Sequence, residues 1–263
     1  MPNVTFSVFT KPWKKESADE LGAKVSKMGF TGVEYALRDG YQLEPKDAAN
    51  GLKPLSETFK KYGVKITSVA SVLTEEVFAG CSAAGVPLIR IMAGGNDPDF
   101  AGLIAKTKEE LTSKLPLCEK YGVKIGIQHH FGYGVNNSME LFELIREYDP
   151  KFVGAIWDAA HSALAGEEPE QALNILASHL CLVNLKNVIY VAKNGPEACK
   201  TIWDRHFTTG SRGISDWERI ANALRKRGYE GVICLTAEYT DEANVDDYVA
   251  RDIAYAKKLF GMN

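Results

Sequence analysis

The sequence predicts one α/β domain, an eight-unit (β/α)8 barrel, and three observations carry that expectation. Short β-type runs alternate with helical stretches along the whole chain, glycines stop the helices in a recurring setting, and polar side chains collect at the C-terminal ends of the runs. The runs are 3–9, 32–36, 64–70, 87–92, 123–129, 152–157, 180–186 and 231–237. Helical segments fall near 16–28, 50–62, 74–84, 99–121, 138–148, 168–178, 216–228 and 244–260. In KMGFTGVEY, KKYGVKITS, EKYGVKIGI and KRGYEGVIC a glycine at a helix C-cap hands the chain over to a strand. Eight such units fit the 263 residues as a closed barrel, read as a single domain over 1–263. A doubly wound open sheet is the second reading, and the missing GxGxxG after the first run weighs against it.

Charge and cysteine usage narrow the function classes. Lys and Arg number 31 against 34 Asp and Glu, a formal net charge of −3, which offers no excess of positive charge to a nucleic-acid backbone. The start, MPNVTFSVFT, lacks the basic stretch and long apolar run of a secretory leader, and no stretch approaches the ~18 apolar residues of a membrane span. Cys81, Cys118, Cys181, Cys199 and Cys234 are far apart and form no CxxC pair, which fits a reducing, cytoplasmic setting and excludes a structural zinc site on this spacing. The longest gap without evident structure, Asn187 to Ile214, is read as a functional or mobile loop.

Strand parity assigns faces, because alternate side chains point to opposite sides of a strand. In the fifth run Val123, Ile125 and Ile127 share the helix-facing side, leaving Lys124, Gly126, Gln128 and His130 inside. The same count turns Glu34, Arg90, Asn184, Lys186, Thr236 and Glu238 inward, with Asp158 at the end of the sixth run and His161 one short turn later. Glu34, Arg90, Gln128, His130, Asp158, His161, Asn184, Lys186 and Glu238 thus form a polar ring at the strand ends, where barrels carry their chemistry. The competing reading is that some of them, Glu34 with Arg90 for instance, only neutralise one another. Trp13 and Trp157 near strand ends are read as core, with an apolar wall for a sugar ring as the alternative.

At these residues the chain resembles the xylose-isomerase-like TIM barrels, the family of sugar-phosphate isomerases and epimerases, hydroxypyruvate isomerase and inosose dehydratase. IQHHFGYGVNNSMELFELIREYDPKFVGAIWDAAHSALAG is similar to the family's His-rich strand end and D-P-K/R turn, and to its D-x-x-H-x-x-x-A-G motif, present here as Asp158, His161, Ala165 and Gly166. LVNLKNV resembles V-H-L-K-D-V, LTAEYTD the strand-eight glutamate element, TTGSRGISDWERIANALRKRGYEGV the G-x-G-x-I-D-F helix start, and GFTGVEY the second-strand G-F-x-G-x-E element. The likeness runs the whole chain and carries its weight from about residue 115 to 260.

The resemblance implies a divalent ion, Mn or Mg, held by four side chains. Carried over by position these are Gln128, Asp158, Asn184 and Glu238, where the family has Glu, Asp, His and Glu. Two positions match; the amide oxygens of Gln128 and Asn184 are weaker ligands, and the set carries −2 where the family's carries −3. His129 and His130 stand next to Gln128 as substitutes. With one of the two opposed carboxylates gone, paired-base epimerisation gives way to single-base chemistry. Glu238 is the expected base and His161 or Lys186 the acid, with Glu34, Arg90, His130 and Arg212 as substrate contacts. Arg205 and His206 lie in the same long loop as Arg212.

The resulting expectation is an isomerase, or a dehydratase (lyase), acting on a keto-sugar, inosose or related polyol carbonyl by metal-assisted enolisation. A barrel that keeps the fold and binds a sugar without turnover is the second reading. Apurinic endonuclease activity, which shares the superfamily, needs a multi-metal cluster and many histidines; five histidines and a negative net charge speak against it. The partner expected is a small sugar or polyol, and a homo-oligomer is compatible with the sequence.

Overall fold

In the computed structural model, which describes residues 3–95 and 99–262, eight parallel strands close on themselves. In chain order these are β1 (Thr5–Phe9), β2 (Gly32–Ala36), β3 (Lys65–Ala70), β4 (Leu88–Met92), β5 (Lys124–Gln128), β6 (Val153–Asp158), β7 (Leu180–Leu185) and β10 (Val232–Leu235). Each strand pairs with its sequence neighbour in the barrel, and β10 pairs with β1 to complete it. The helices α1 (Ala18–Lys27), α2 (Ala48–Lys60), α3 (Glu75–Ala84), α4 (Phe100–Tyr121), α5 (Ser138–Ile145), α6 (Ala159–Leu164), α7 (Pro169–Ile175), α8 (Trp217–Lys226) and α9 (Val245–Leu259) connect them. Among the described residues no helix is long and apolar enough to cross a membrane.

Local sequence explains these boundaries. Gly29, Gly63, Gly122 and Gly228, the four glycines of the recurring pattern, all take positive φ, the left-handed turn that ends a helix and that side chains with a Cβ resist. At the other end of α1, Ser17 accepts from the Glu20 backbone N–H while Glu20 reaches back to the Ser17 N–H, a reciprocal cap for otherwise orphaned donors.

Two cores result from the alternation. Val33, Tyr35, Ile125, Ile127, Val183 and Ile233, turned outward, pack against the helices in one large cluster. Phe9, Ala36, Ala70, Leu88, Ile156, Leu182 and Cys234, of opposite parity, fill the barrel interior. Gly126 lies among them: a Cβ there would meet Ile156 Cδ1 at 2.7 Å and Leu88 Cδ1 at 2.9 Å, so neighbouring side chains already occupy its space. Trp13 and Trp157 both belong to the buried core.

Three features depart from the sequence expectation. The gap from Asn187 to Ile214 is not structureless: it holds an antiparallel hairpin of β8 (Asn187–Ala192) and β9 (Trp203–Thr208). His161 sits within the helix α6 rather than a bare turn. The last barrel strand ends at Leu235, and Ala237 adopts φ +51°, the left-handed region that non-glycine residues rarely enter. That kink, not a continued strand, sets the direction of Glu238.

Candidate active site

The register puts the ring side by side: Gln128 pairs with Met92 and Ile156, Asp158 with Asn184, and Asn184 with Cys234. Side chains of the expected parity therefore meet at one mouth. Asp158 is fully buried at the start of α6, and its Oδ1 accepts from the Ala160 and His161 N–H groups at 3.1 Å each. Its Oδ2 accepts from Gln128 Nε2 at 2.8 Å, while Gln128 Oε1 accepts from Arg90 Nη1 at 2.5 Å. Arg90 is also an ion-pair partner of Glu34, with Nε 2.9 Å from Oε1, and Ser68 Oγ donates to the same oxygen. Glu34 and Arg90 are thus ion-paired, as the competing reading from the sequence has it, but among the described residues Glu34 Oε2 and Arg90 Nε have no hydrogen-bond partner.

Across the mouth Glu238 holds two lysines. Lys186 Nζ lies 2.8 Å from Oε2 and Lys11 Nζ 2.5 Å from Oε1. Burial by itself would raise the Glu238 carboxyl, but the two ammonium groups outweigh it and hold it well below the usual carboxylate range. Burial raises the Asp158 carboxyl, with Lys186 and His129 opposing. Lys186 is anchored twice, since Phe207 of β9 lies over its ammonium at 3.9 Å and the Lys186 carbonyl accepts from Trp217 Nε1. The amphipathic helix α8 buries that Trp217 with Ile220 and Leu224 against the barrel, so the strand end cannot drift.

The histidines divide into two roles. His129 faces away from the mouth, and its Nε2 accepts the Asp158 backbone N–H at 3.1 Å, a bond that requires the neutral ring; burial pushes its imidazole down to about 4. It therefore cannot substitute for the missing ligand. His130 and His161 lie against each other with ring centroids 3.9 Å apart and ring planes tilted by 38°. Burial, with Lys186 next in importance, pushes both imidazoles down, His161 far below its usual range. Among the described residues neither ring nitrogen of His161 has a hydrogen-bond partner, nor does either side-chain polar atom of Asn184. Unpaired polar groups this deeply buried are costly, which marks the spot as a binding surface.

Parity applied to β1 and β2 would have found two residues that sequence reasoning missed. Lys11 continues the series Ser7, Phe9, Lys11, and Arg38 the series Glu34, Ala36, Arg38. The guanidinium groups of Arg38 and Arg90 lie 5.3 and 4.5 Å from the centroid of the Phe9 ring. A cavity of about 740 Å³ opens beside them, lined also by Leu37, Ser71, Leu73, Met92 and Tyr133. Arg212 is not brought to the ring: it is exposed in the turn after β9. Arg205 reaches across to the Phe131 carbonyl at 3.1 Å, and the Phe207 backbone N–H donates to Thr240 Oγ1, so the hairpin is tied over the mouth.

Comparison with known proteins agrees with this architecture. A family model described as xylose isomerase-like TIM barrel matches residues 23–259. An inosose dehydratase of Geobacillus thermodenitrificans is 26% identical, covering 95% of this chain and 95% of its own. One of Clostridium beijerinckii is 30% identical over 55% of this chain and 51% of its own. Among solved structures, a 3-keto-D-glucoside 4-epimerase from E. coli superposes with a TM-score of 0.74 at 17% identity, covering 97% of this chain and 99% of that one. A protein described as a probable 3-DHS dehydratase from Bacillus anthracis gives 0.73 at 15% identity, with 95% and 98% covered. At these identities the two structures bear on the fold alone.

Proposed function

We propose that this chain, which belongs to the xylose isomerase-like TIM barrel family, is an isomerase or dehydratase that enolises a keto-sugar, an inosose or a related polyol carbonyl. The observation that carries the reading is the 2.8 Å contact between Lys186 and Glu238 at the mouth, beside Asn184 and His161, whose side-chain polar atoms have no hydrogen-bond partner among the described residues. The full-length inosose dehydratase relative supports the substrate class.

The family resemblance implies a divalent ion, and the side chains present do not fit one. Among the described residues no three carboxylate, imidazole or thiolate side chains converge as a metal-binding group. Both Asp158 oxygens already accept hydrogen bonds, Gln128 turns its amide N–H toward Asp158, and both Glu238 oxygens are paired with ammonium groups.

The chain's own residues supply the chemistry. A substrate carbonyl oxygen that takes the Lys186 ammonium as its donor releases Glu238 Oε2 from that contact. Base and electrophile then stand side by side, as the adjacent α-hydrogen and carbonyl oxygen require. Glu238 removes the α-proton, the C–H electron pair becomes the new C=C bond, and the charge on the former carbonyl oxygen is met by Lys186. Returning that proton to the former carbonyl carbon, while the neighbouring hydroxyl passes its own proton to the former carbonyl oxygen and becomes the new carbonyl, completes an isomerisation. Loss of the β-hydroxyl, which takes the proton from Glu238 and departs as water while the enolate re-forms the carbonyl, completes a dehydration, with a His161 ring nitrogen placed to accept a hydrogen bond from that hydroxyl. Asn184 offers the substrate hydroxyls both a donor and an acceptor.

Wild-type protein incubated in heavy water with a panel of ketoses and inososes, followed by proton NMR, tests the reading. Exchange of the α-proton, or appearance of an isomer or dehydrated product, is the expected result. If no member of the panel exchanges or reacts, the enzyme reading fails and sugar binding without turnover takes its place.

A further inference from the structure

We infer that this centre takes no divalent ion, because its own side chains already supply the positive charge that an ion would bring. Among the described residues the polar ring carries three carboxylates, Glu34, Asp158 and Glu238. Around them stand four cations: Arg90 on Glu34, Lys186 and Lys11 on Glu238, and Arg38, whose guanidinium lies with that of Arg90 against Phe9. Glu34 and Glu238 are thus each ion-paired, and both oxygens of Asp158 accept hydrogen bonds. The two histidines at the mouth add no negative charge, since they are neutral or cationic at any pH.

Geometry points the same way. At Gln128 the carboxylate expected from the family would sit between Arg90 and Asp158; the amide there accepts from the one and donates to the other, at 2.5 and 2.8 Å. The three residues form a closed donor–acceptor chain, and an ion drawing Asp158 Oδ2 away would break it. At Asn184 an uncharged amide replaces the family's imidazole. An arriving dication would meet Glu238 already paired with two ammonium groups, and the buried Arg90 and Lys186 close by, where charges are weakly screened. The electrophile of the reaction is then Lys186, with Lys11 holding the other oxygen of Glu238.

The inference shares its site with the proposed function but not its substrate, so it is tested without turnover. Mn²⁺ is titrated into the chelator-treated wild-type protein, and the aquo-ion signal is followed by electron paramagnetic resonance. The expected result is that wild-type protein at equimolar Mn²⁺ leaves the signal undiminished. Gln128→Glu/Asn184→His/Lys11→Met, which restores two ligands and removes one cation, should bind Mn²⁺ at least ~100-fold more tightly, a change of the order expected for charges interacting at close range. Stoichiometric loss of signal with the wild type, abolished by Asp158→Asn, overturns the inference whether or not the triple variant folds. A triple variant that folds by circular dichroism yet binds no better also overturns it, because the named side chains would then not be what excludes the ion.

Discussion

Gln128 Nε2 donates to Asp158 Oδ2 at 2.8 Å while its Oε1 accepts from Arg90, so one amide joins the guanidinium of β4 to the carboxylate that caps α6. A glutamate at 128 could keep the arginine contact but would turn a second carboxylate toward Asp158. Gln128→Glu should therefore destabilise the fold at neutral pH by about 2–4 kcal/mol, the cost of an unsatisfied buried acceptor facing a like charge. Gln128→Glu/Asp158→Asn restores one donor and one acceptor and should recover at least half of that loss. Urea denaturation of the wild type and the two variants measures it; a double variant no more stable than Gln128→Glu alone would show that the polar chain is not what couples the two residues.

Glu238→Gln removes the base and keeps the shape. Turnover on any substrate of the wild type should fall by ~10²–10⁴-fold, with substrate binding largely kept. Kinetics split into kcat and KM decide it. An unchanged kcat would move the proton transfer to His161 or Lys186.

Ala237 carries the backbone kink that aims Glu238, with φ +51° and its side chain buried. Ala237→Gly should be close to neutral, because relief of the left-handed strain offsets the greater freedom of glycine in the unfolded chain. Ala237→Val should cost about 2 kcal/mol or more and lower kcat as well, since a β-branched residue resists this conformation and shifts the carboxylate. Thermal melts and activity of the pair provide the measurement, and equal behaviour of Gly and Val would refute the assignment.

Asp252 of α9 is buried; its carboxylate accepts from the Gly210 N–H and the Tyr239 hydroxyl, each at 2.8 Å, and burial raises it to about 6. The unfolded chain releases this proton near pH 4, so between pH 4 and 6 the folded state holds a proton that the unfolded state has lost. Stability contributed by this group is present at low pH, is lost as pH rises through 6, and is flat above. The advantage of Asp252→Asn over wild type should grow by about 2–3 kcal/mol between pH 4 and pH 7.5. Urea melts at both values check the sign, and a difference that does not change with pH would count against it.

The sequence by itself determined the barrel and most of the ring. Eight apolar alternations and four helix-ending glycines set eight strands and their stops, and a period of two sets which side chains face in, so Glu34, Arg90, Gln128, Asp158, Asn184 and Lys186 are legible in the sequence. Lys11 and Arg38 were equally legible by the same count. What the sequence could not reveal is what each inward group touches, because parity gives a direction and no partner. Only tertiary structure turned His129 to the Asp158 backbone, left Arg212 in solvent, folded 187–208 into a hairpin over Lys186, and bent Ala237 so that Glu238 meets two lysines. These contacts join residues far apart in the chain, across strands whose relative height is set by barrel closure rather than by local sequence. The electrostatics of the mouth, a sum over those distances, follows from closure as well.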